Sequence, residues 1–420
     1  MMSDVCRIEP HLVLVLVLAG CGADSGPPLP IDTPPPSDFV PQPNPKSASM
    51  FPEETIAHYA LTFPANDWTA VIDTWQDPKW KDPASQAVWE AEKKTHWVHC
   101  GFTFEGETAA GAACRLRGNP TDWAYQKKPQ LAVRFNHFDK EARFRGLRGV
   151  SLEHFNVHAA PVRDRLGMML MRGAGLPAPR VAHVRVDIDG TDYGIYMAIE
   201  PVDREFLEDH FADPGGNLYE GAYIKQTNES DPSTDDMDAI DDLLEAESVG
   251  ADHGAFVHAM ASRMDMAQVL RLMAAESVLP SNDNLSNGST NFFYYHPPGG
   301  LFVAIPWDFD DILSPKNSPA TSPLYTFLGY SDEPSKLLAL VADIPEWRQA
   351  FEDDVVALRD GPHAALAAQA ASLCAMLRPE MATDEPWKQQ HTLDDFDKDC
   401  AAIAEHVADR AAFLKTALGR

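Results

Sequence analysis

Three short stretches hold side chains that could do chemistry together: Asn282-Asp283, Asn291-Phe292-Phe293-Tyr294 and Pro306-Trp307-Asp308-Phe309-Asp310. The first puts an Asn and an Asp on a short loop. The second opens an aromatic strand pair, and the third sets two carboxylates one residue apart behind a Trp. Phosphoryl transfer needs an Asp near the reacting hydroxyl, an Asn on a metal and a further Asp on the same metal. Positioning and charge neutralisation dominate that chemistry, so few residues carry it. The structural alternatives are an Asx-turn for Asp283, and a strand end plus a helix cap for Asp308 and Asp310. Polar groups converging after one buried helix favour the chemical reading.

That helix is marked by Met266, Val269, Leu270, Met273, Ala274 and Ser277 at helical spacing, and Pro280 stops it just ahead of Asp283. Upstream the chain is rich in strands. Runs at 59–63, 97–104, 113–117 and 130–135 read as strands, with a turn at 106–111. A helix is predicted at 66–74 with Asn66 as its cap, and another at 161–174 with Gly175 as its stop. Residues 182–188 and 193–199 form a hairpin around Asp189-Gly190. Glu200-Pro201-Val202-Asp203 then leaves the sheet, and Asp203 can cap the helix that carries Phe206 and Leu207. From there the pattern is mainly helical. The acidic stretch 228–248 has oxygen ligands for Ca²⁺ in Asp231, Asp235, Asp236 and Asp238, but lacks the Gly and Glu placement of an EF-hand and reads as a solvated insertion. Leu393, Phe396, Cys400, Ile403, Val407 and Leu414 keep a heptad on the last helix.

The ends and the composition bound the rest. Leu12 to Leu18 is too short to span a bilayer and suits a secretory signal; Leu18-Ala19-Gly20-Cys21 resembles a bacterial lipobox, which would make Cys21 the lipidated residue. A Pro-rich tether follows, so the expected division is 1–20 signal, 21–50 tether and 51–420 domain. The expected location is the bacterial cell envelope, at the outer membrane or cell surface, with the lipid anchor as the membrane contact. A formal charge of −29 argues against nucleic acid; a basic or Ser/Thr-rich protein substrate suits such a surface, as does no partner. Cys100, Cys114, Cys374 and Cys400 make an even set in an exported chain. Cys100–Cys114 would close a hairpin and Cys374–Cys400 would tie two helices; a zinc site or free buried thiols are the alternatives.

A strand-rich half, a hinge-like Glu200-Pro201-Val202 and a helical half with a catalytic-type loop follow the order of a protein kinase. Leu116-Arg117-Gly118-Asn119, Lys127-Lys128-Pro129, Arg163-Asp164, Gly175-Leu176-Pro177, Tyr193-Gly194-Ile195-Tyr196, Asn217-Leu218-Tyr219 and the three stretches above are similar to the CotH kinase family. That resemblance implies an α+β, atypical protein-kinase-like fold, with a strand-rich N-lobe at about 51–200 and a helical C-lobe at about 201–420. It implies ATP with Mg²⁺ or Mn²⁺ as cofactors. Lys128 or Lys127 would hold nucleotide phosphates, Arg117 would sit at the phosphate-covering loop, and Asp164 is the nearest acid to orient the Lys. The backbone of Glu200 to Val202 would meet adenine. Asp283 would be the catalytic Asp, with Asn291, Asp308 and Asp310 on the metal and Asn284 and Asn287 as rivals of Asn291.

Two function classes follow. One is an ATP-dependent kinase acting on Ser or Thr of a surface or secreted protein. The other is a non-catalytic surface or coat module on the same fold; within enzymes, an adenylyl or glutamyl group is a further option. A metal-assisted hydrolase has only Asp308 and Asp310 behind it, and no nucleophile elbow is present.

Overall fold

The computed structural model describes residues 44–65, 67–76, 84–85, 95–118, 128–154, 158–221, 224–281, 283–287, 290–325 and 335–420. The expected signal, Cys21, nearly all of the expected tether, Asn66, Asn119, Lys127 and Asn282 lie outside the described residues.

Alternating burial builds the first lobe. Its strands are β1 (Ala57–Thr62), β2 (Val98–Phe104), β3 (Glu107–Leu116), β4 (Leu131–Arg134), β5 (Gly149–Glu153), β6 (Val181–Ile188) and β7 (Thr191–Ile199). In β1 the buried residues are Ala57, Tyr59 and Leu61, the period of a half-buried strand. The strands close in the order β1-β2-β3-β4-β5-β7-β6, and the parallel β1/β6 pair seals the barrel. Tyr59, Phe102, Leu131, Val133, Leu152 and Val184 fill it. The short helix α1 (Pro45–Ala48) precedes β1, and α2 (Asp67–Gln76) follows it. Strand β5 had no alternating signal because four of its five residues are buried. Helix α3 (Arg163–Gly173) leaves between β5 and β6 and stops before Gly175, whose φ of 77° suits glycine.

The second lobe starts with α4 (Arg204–His210), where Asp203 accepts hydrogen bonds from the Glu205 and Phe206 amides as the expected cap. A small sheet of β8 (Asn217–Glu220), β9 (Ile224–Lys225), β10 (Phe292–His296) and β11 (Val303–Pro306) runs in the order β11-β10-β8-β9. Helices α5 (Asp235–Ala246), α6 (Gly254–Ala261), α7 (Met266–Val278), α8 (Lys336–Asp343), α9 (Pro345–Leu358), α10 (Ala364–Met381) and α11 (Leu393–Leu418) make the rest. Helix α7 is buried beyond the one face its spacing marks, since Leu272, Ala275 and Val278 are also 0% exposed. In the acidic insertion the Lys225 ammonium donates to the carbonyls of Asp231 and Ser233, so this turn is held by a cation of the chain itself. Among the described residues no helix is long and apolar enough to cross a membrane.

Both expected cysteine pairs form. Cys100–Cys114 joins β2 to β3 and Cys374–Cys400 joins α10 to α11, with Cα separations of 5.9 and 6.3 Å. Charged contacts fasten the lobes around α4. Glu205 holds Arg143 and Arg148 at 2.6 Å each, and Asp203 faces Arg134 at 3.6 Å. Asp209 accepts from Arg180, the Ser47 hydroxyl and the Asn44 amide, so the segment ahead of β1 docks on the same bracket.

Candidate active site

The site is assembled where β11 ends beside the start of β10. The Trp307 amide donates to the Asn291 carbonyl at 3.0 Å. Asn291 and Asp308 both take left-handed φ, 62° and 55°, a region that Asn and Asp enter more cheaply than most residues. These two bends turn Asp308 back toward the N-lobe. The next amide, of Phe309, donates to Asp164 Oδ1 at 2.9 Å. Phe309 packs against Gly167 of α3, where any Cβ would collide with the ring. Glycine there lets α3 press on the Asp308 turn and bring Asp164 with it.

Asp164 is 1% exposed, and its Oδ2 is buried without a hydrogen-bond partner. Burial, reinforced by the Asp308 charge, pushes its carboxyl up to about 7, while the Phe309 amide and Arg117 pull the other way. Arg117, just past β3, pairs with Glu153 at the end of β5. Burial lowers its guanidinium, and the charges of Asp308, Asp164 and Glu220 oppose that. Arg117 and Asp164 of the N-lobe thus lie within charge range of Asp308 of the C-lobe, and Glu153 joins them through Arg117.

Those residues fit a divalent ion. A buried carboxylate, Asp164, feels the charge of a half-buried one, Asp308, and one oxygen of Asp164 has no donor. Among the described residues no group of three or more His, Cys, Asp or Glu could hold a metal alone. Mg²⁺ is commonly held by one or two carboxylates, with phosphate oxygens and water completing its shell. Asp308 and Asp164 would hold it.

Asp283 stands on the loop after α7. Its carboxylate accepts a hydrogen bond from the Thr290 hydroxyl, and its amide donates to Ser281 Oγ at 3.1 Å. Burial raises its carboxyl and Asn291 counters. The Asn291 side-chain Nδ2 donates to the Asp283 carbonyl at 3.1 Å, which ties the loop to the Asp308 turn. Its rivals are committed elsewhere: the Asn284 side chain accepts from the Asn287 amide at 3.0 Å, and the Asn287 side chain donates to the Ser281 carbonyl. Asp310 follows Phe309 and is exposed.

Other expected residues are placed differently. Lys128 is not brought to this group. It is 2% exposed and donates to Asp384 at 2.5 Å and to the Ile195 carbonyl at 3.0 Å. Asp384, between α10 and α11, also accepts from the Ile195 amide and reaches β7 over Gly194. A buried ammonium needs a carboxylate, and this one found it 256 residues away. Nor does Asp164 orient Lys128. Arg163, which could have paired locally, reaches Asp399 of α11 at 2.6 Å. The Glu200 side chain binds Arg180 (2.9 Å to Nε), which holds its carboxyl down to about 2 despite burial. Val202 is buried with Phe206, Leu207 and Leu218.

Sequence reading missed Glu153, Asp384 and Glu276. Glu153 closes a strand that has no periodic signal. Asp384 sits in a polar connection with nothing to mark it. Glu276 had a signal: an acid within the otherwise apolar run Met273-Ala274-Ala275-Glu276-Ser277-Val278.

No curated protein matches the sequence. Solved structures resemble it at low identity, two of them as follows. HipA, from the Shewanella oneidensis MR-1 toxin–antitoxin complex of HipA, HipB and operator DNA, is 12% identical over 65% of this chain and 60% of its own, with a TM-score of 0.33. The Helicobacter pylori proinflammatory kinase CtkA is 8% identical over 72% of this chain and 96% of its own, also at 0.33. The family described as CotH kinase protein matches residues 114–414, from β3 through α11 and across the whole site, and the chain belongs to that family.

Proposed function

We propose that this chain transfers a phosphoryl group from ATP, with Mg²⁺ or Mn²⁺, to a Ser or Thr hydroxyl of a surface or secreted protein. The observation that carries the reading is the buried Asp164, with one carboxylate oxygen lacking a donor, in the electrostatic field of the half-buried Asp308 and Arg117. Arg117, rather than Lys128, would hold nucleotide phosphates, and its planar fork suits phosphate oxygens. Asp308 and Asp164 would hold the metal, with Asn291 beside them. A metal there would neutralise phosphate charge. The backbone of Glu200 to Val202 would flank adenine. Asp283 would accept the acceptor's proton, and its bond to Thr290 shows a hydroxyl already placed on that carboxylate. An acceptor hydroxyl would take the place of Thr290. Through Cys21 the domain would be held at the cell envelope on a Pro-rich tether.

One observation favours a second reading. Lys128 is locked away, as in a fold that has moved to another transferred group, adenylyl or glutamyl, or to binding alone. Labelled ATP separates the readings. The chain is incubated with γ- or α-labelled ATP and Mn²⁺, alongside Asp308→Asn and Asp283→Asn. Label from the γ position only, lost in both variants, is the expected result. Label from the α position means adenylyl transfer. Absence of label from either, with no ATP-dependent stabilisation, means a binding module.

A further inference from the structure

Glu276 lies near the end of α7 and is 2% exposed. It faces the 281–287 loop. Its carboxylate accepts from the Leu285 amide at 3.3 Å, the Ser286 amide at 2.9 Å and the Ser286 hydroxyl at 2.6 Å. Among the described residues no cation pairs with it, and its surroundings contribute only those hydrogen bonds. A small cavity beside it is lined by Ser281, Asn284, Asn287 and Arg410. Arg410 of α11 is the charged group there, and it spends its guanidinium on main-chain carbonyls, Ser277 at 3.1 Å and Ala320 at 3.0 Å.

A carboxylate buried without a cation is costly, and an apolar side chain would fill a helix core more cheaply. Glu276 instead satisfies three donors of one loop. The other bonds of that loop run inward, Asn287 to Asn284 and Ser281 and Asp283 to Ser281, or to the residues just ahead of β10, where Thr290 and Asn291 reach Asp283. The anchor at Leu285 and Ser286 therefore fixes the side of the loop that faces α7 and helps to set where Asp283 stands.

We propose that Glu276 is a positioning residue, whose carboxylate fixes the 281–287 loop so that Asp283 stands ready for the acceptor hydroxyl. The role rests on the phosphoryl-transfer reading of Asp283. Burial pushes the Glu276 carboxyl up to about 7 against the pull of Ser286 and Leu285. The ionised form meets three donors; a protonated one would turn a hydrogen toward them and release part of the loop. Loop order and turnover should therefore fall together as pH drops below neutrality.

Two variants and two readouts test this. Glu276→Gln presents an amide to the loop's donors, and Ser286→Ala removes one donor with little risk to folding. We expect Glu276→Gln to lower kcat about 10- to 100-fold, with KM for ATP within about 3-fold and the acid limb of the pH profile displaced. Ser286→Ala should move kcat the same way by less. Amide hydrogen exchange across 283–292 should quicken in both variants and stay unchanged in α3. Unchanged exchange in this loop, or quickened exchange with unchanged kcat, overturns the proposal. If the unmutated chain transfers no phosphoryl group, the reading of Asp283 fails, and the exchange data still decide whether Glu276 holds the loop.

Discussion

Asp164 serves the site at the expense of the fold. A buried carboxylate with an unfilled oxygen beside Asp308 destabilises the native state, and Arg117 offsets only part of that cost. Asp164→Asn keeps an oxygen for the Phe309 amide and removes the charge. It should raise the melting temperature by a few degrees, about 1–2 kcal/mol, while ATP with Mg²⁺ no longer adds stability. Thermal melts with and without nucleotide check both parts. The legibility of residues followed sequence distance. Asp283, Asn291 and Asp308 stand within 26 residues on one helix–hairpin unit, so their order announced their convergence. Lys128 looked equally apt, yet its buried partner is Asp384, and nothing local in the chain records a pairing over that separation. Arg117 was legible only as part of a loop; its meeting with Asp164 and Asp308 depends on how the lobes close.

Elements were easier to read where one face alone is buried. Strands β1, β2 and β7, helix α3 and the Asp203 cap of α4 came from periodicity and capping. Strand β5 and the full burial of α7 did not, because an element covered on several sides has no period to show. The element that joins the lobes is α4. Its Glu205 is buried and holds both Arg143 and Arg148. Glu205→Gln should cost about 2–4 kcal/mol by leaving two arginines poorly matched, and should speed hydrogen exchange in 143–153 before the C-lobe helices respond. Replacing Cys374 and Cys400 together by Ala reopens a 26-residue loop and should cost about 3 kcal/mol in denaturant melts.

At the scale of the molecule, tether and charge set the behaviour. Removing residues 1–51 takes away Asn44, Ser47 and Phe51, which pack on Asp209 and Arg180. A shortened chain should therefore begin before Asn44. Acid sensitivity is also distributed. His363 is fully buried, and burial with the Arg410 and His406 charges holds its imidazole down to about 4. In the unfolded chain it returns to about 6.5. Stability carried by the neutral form is present above pH ~6.5 and lost as pH falls through that window. The raised carboxyls of Asp164 and Glu276 act in the opposite direction, so a variant isolates the term. His363→Leu should flatten the decline between pH 6.5 and 4.5 by roughly 2 kcal/mol, read from denaturant melts at each pH.

In the proposed function the nucleotide lies at Arg117, Asp164 and Asp308 rather than at Lys128. γ-Phosphoryl transfer from labelled ATP, with Mn²⁺, by Arg117→Met and by the double variant Lys128→Met/Asp384→Asn decides between the two. The double variant removes both members of the buried pair and leaves no orphaned charge. Arg117→Met should lose about 100-fold or more while the double variant stays within several-fold of the unmutated chain. Loss in the double variant with full transfer by Arg117→Met would contradict it.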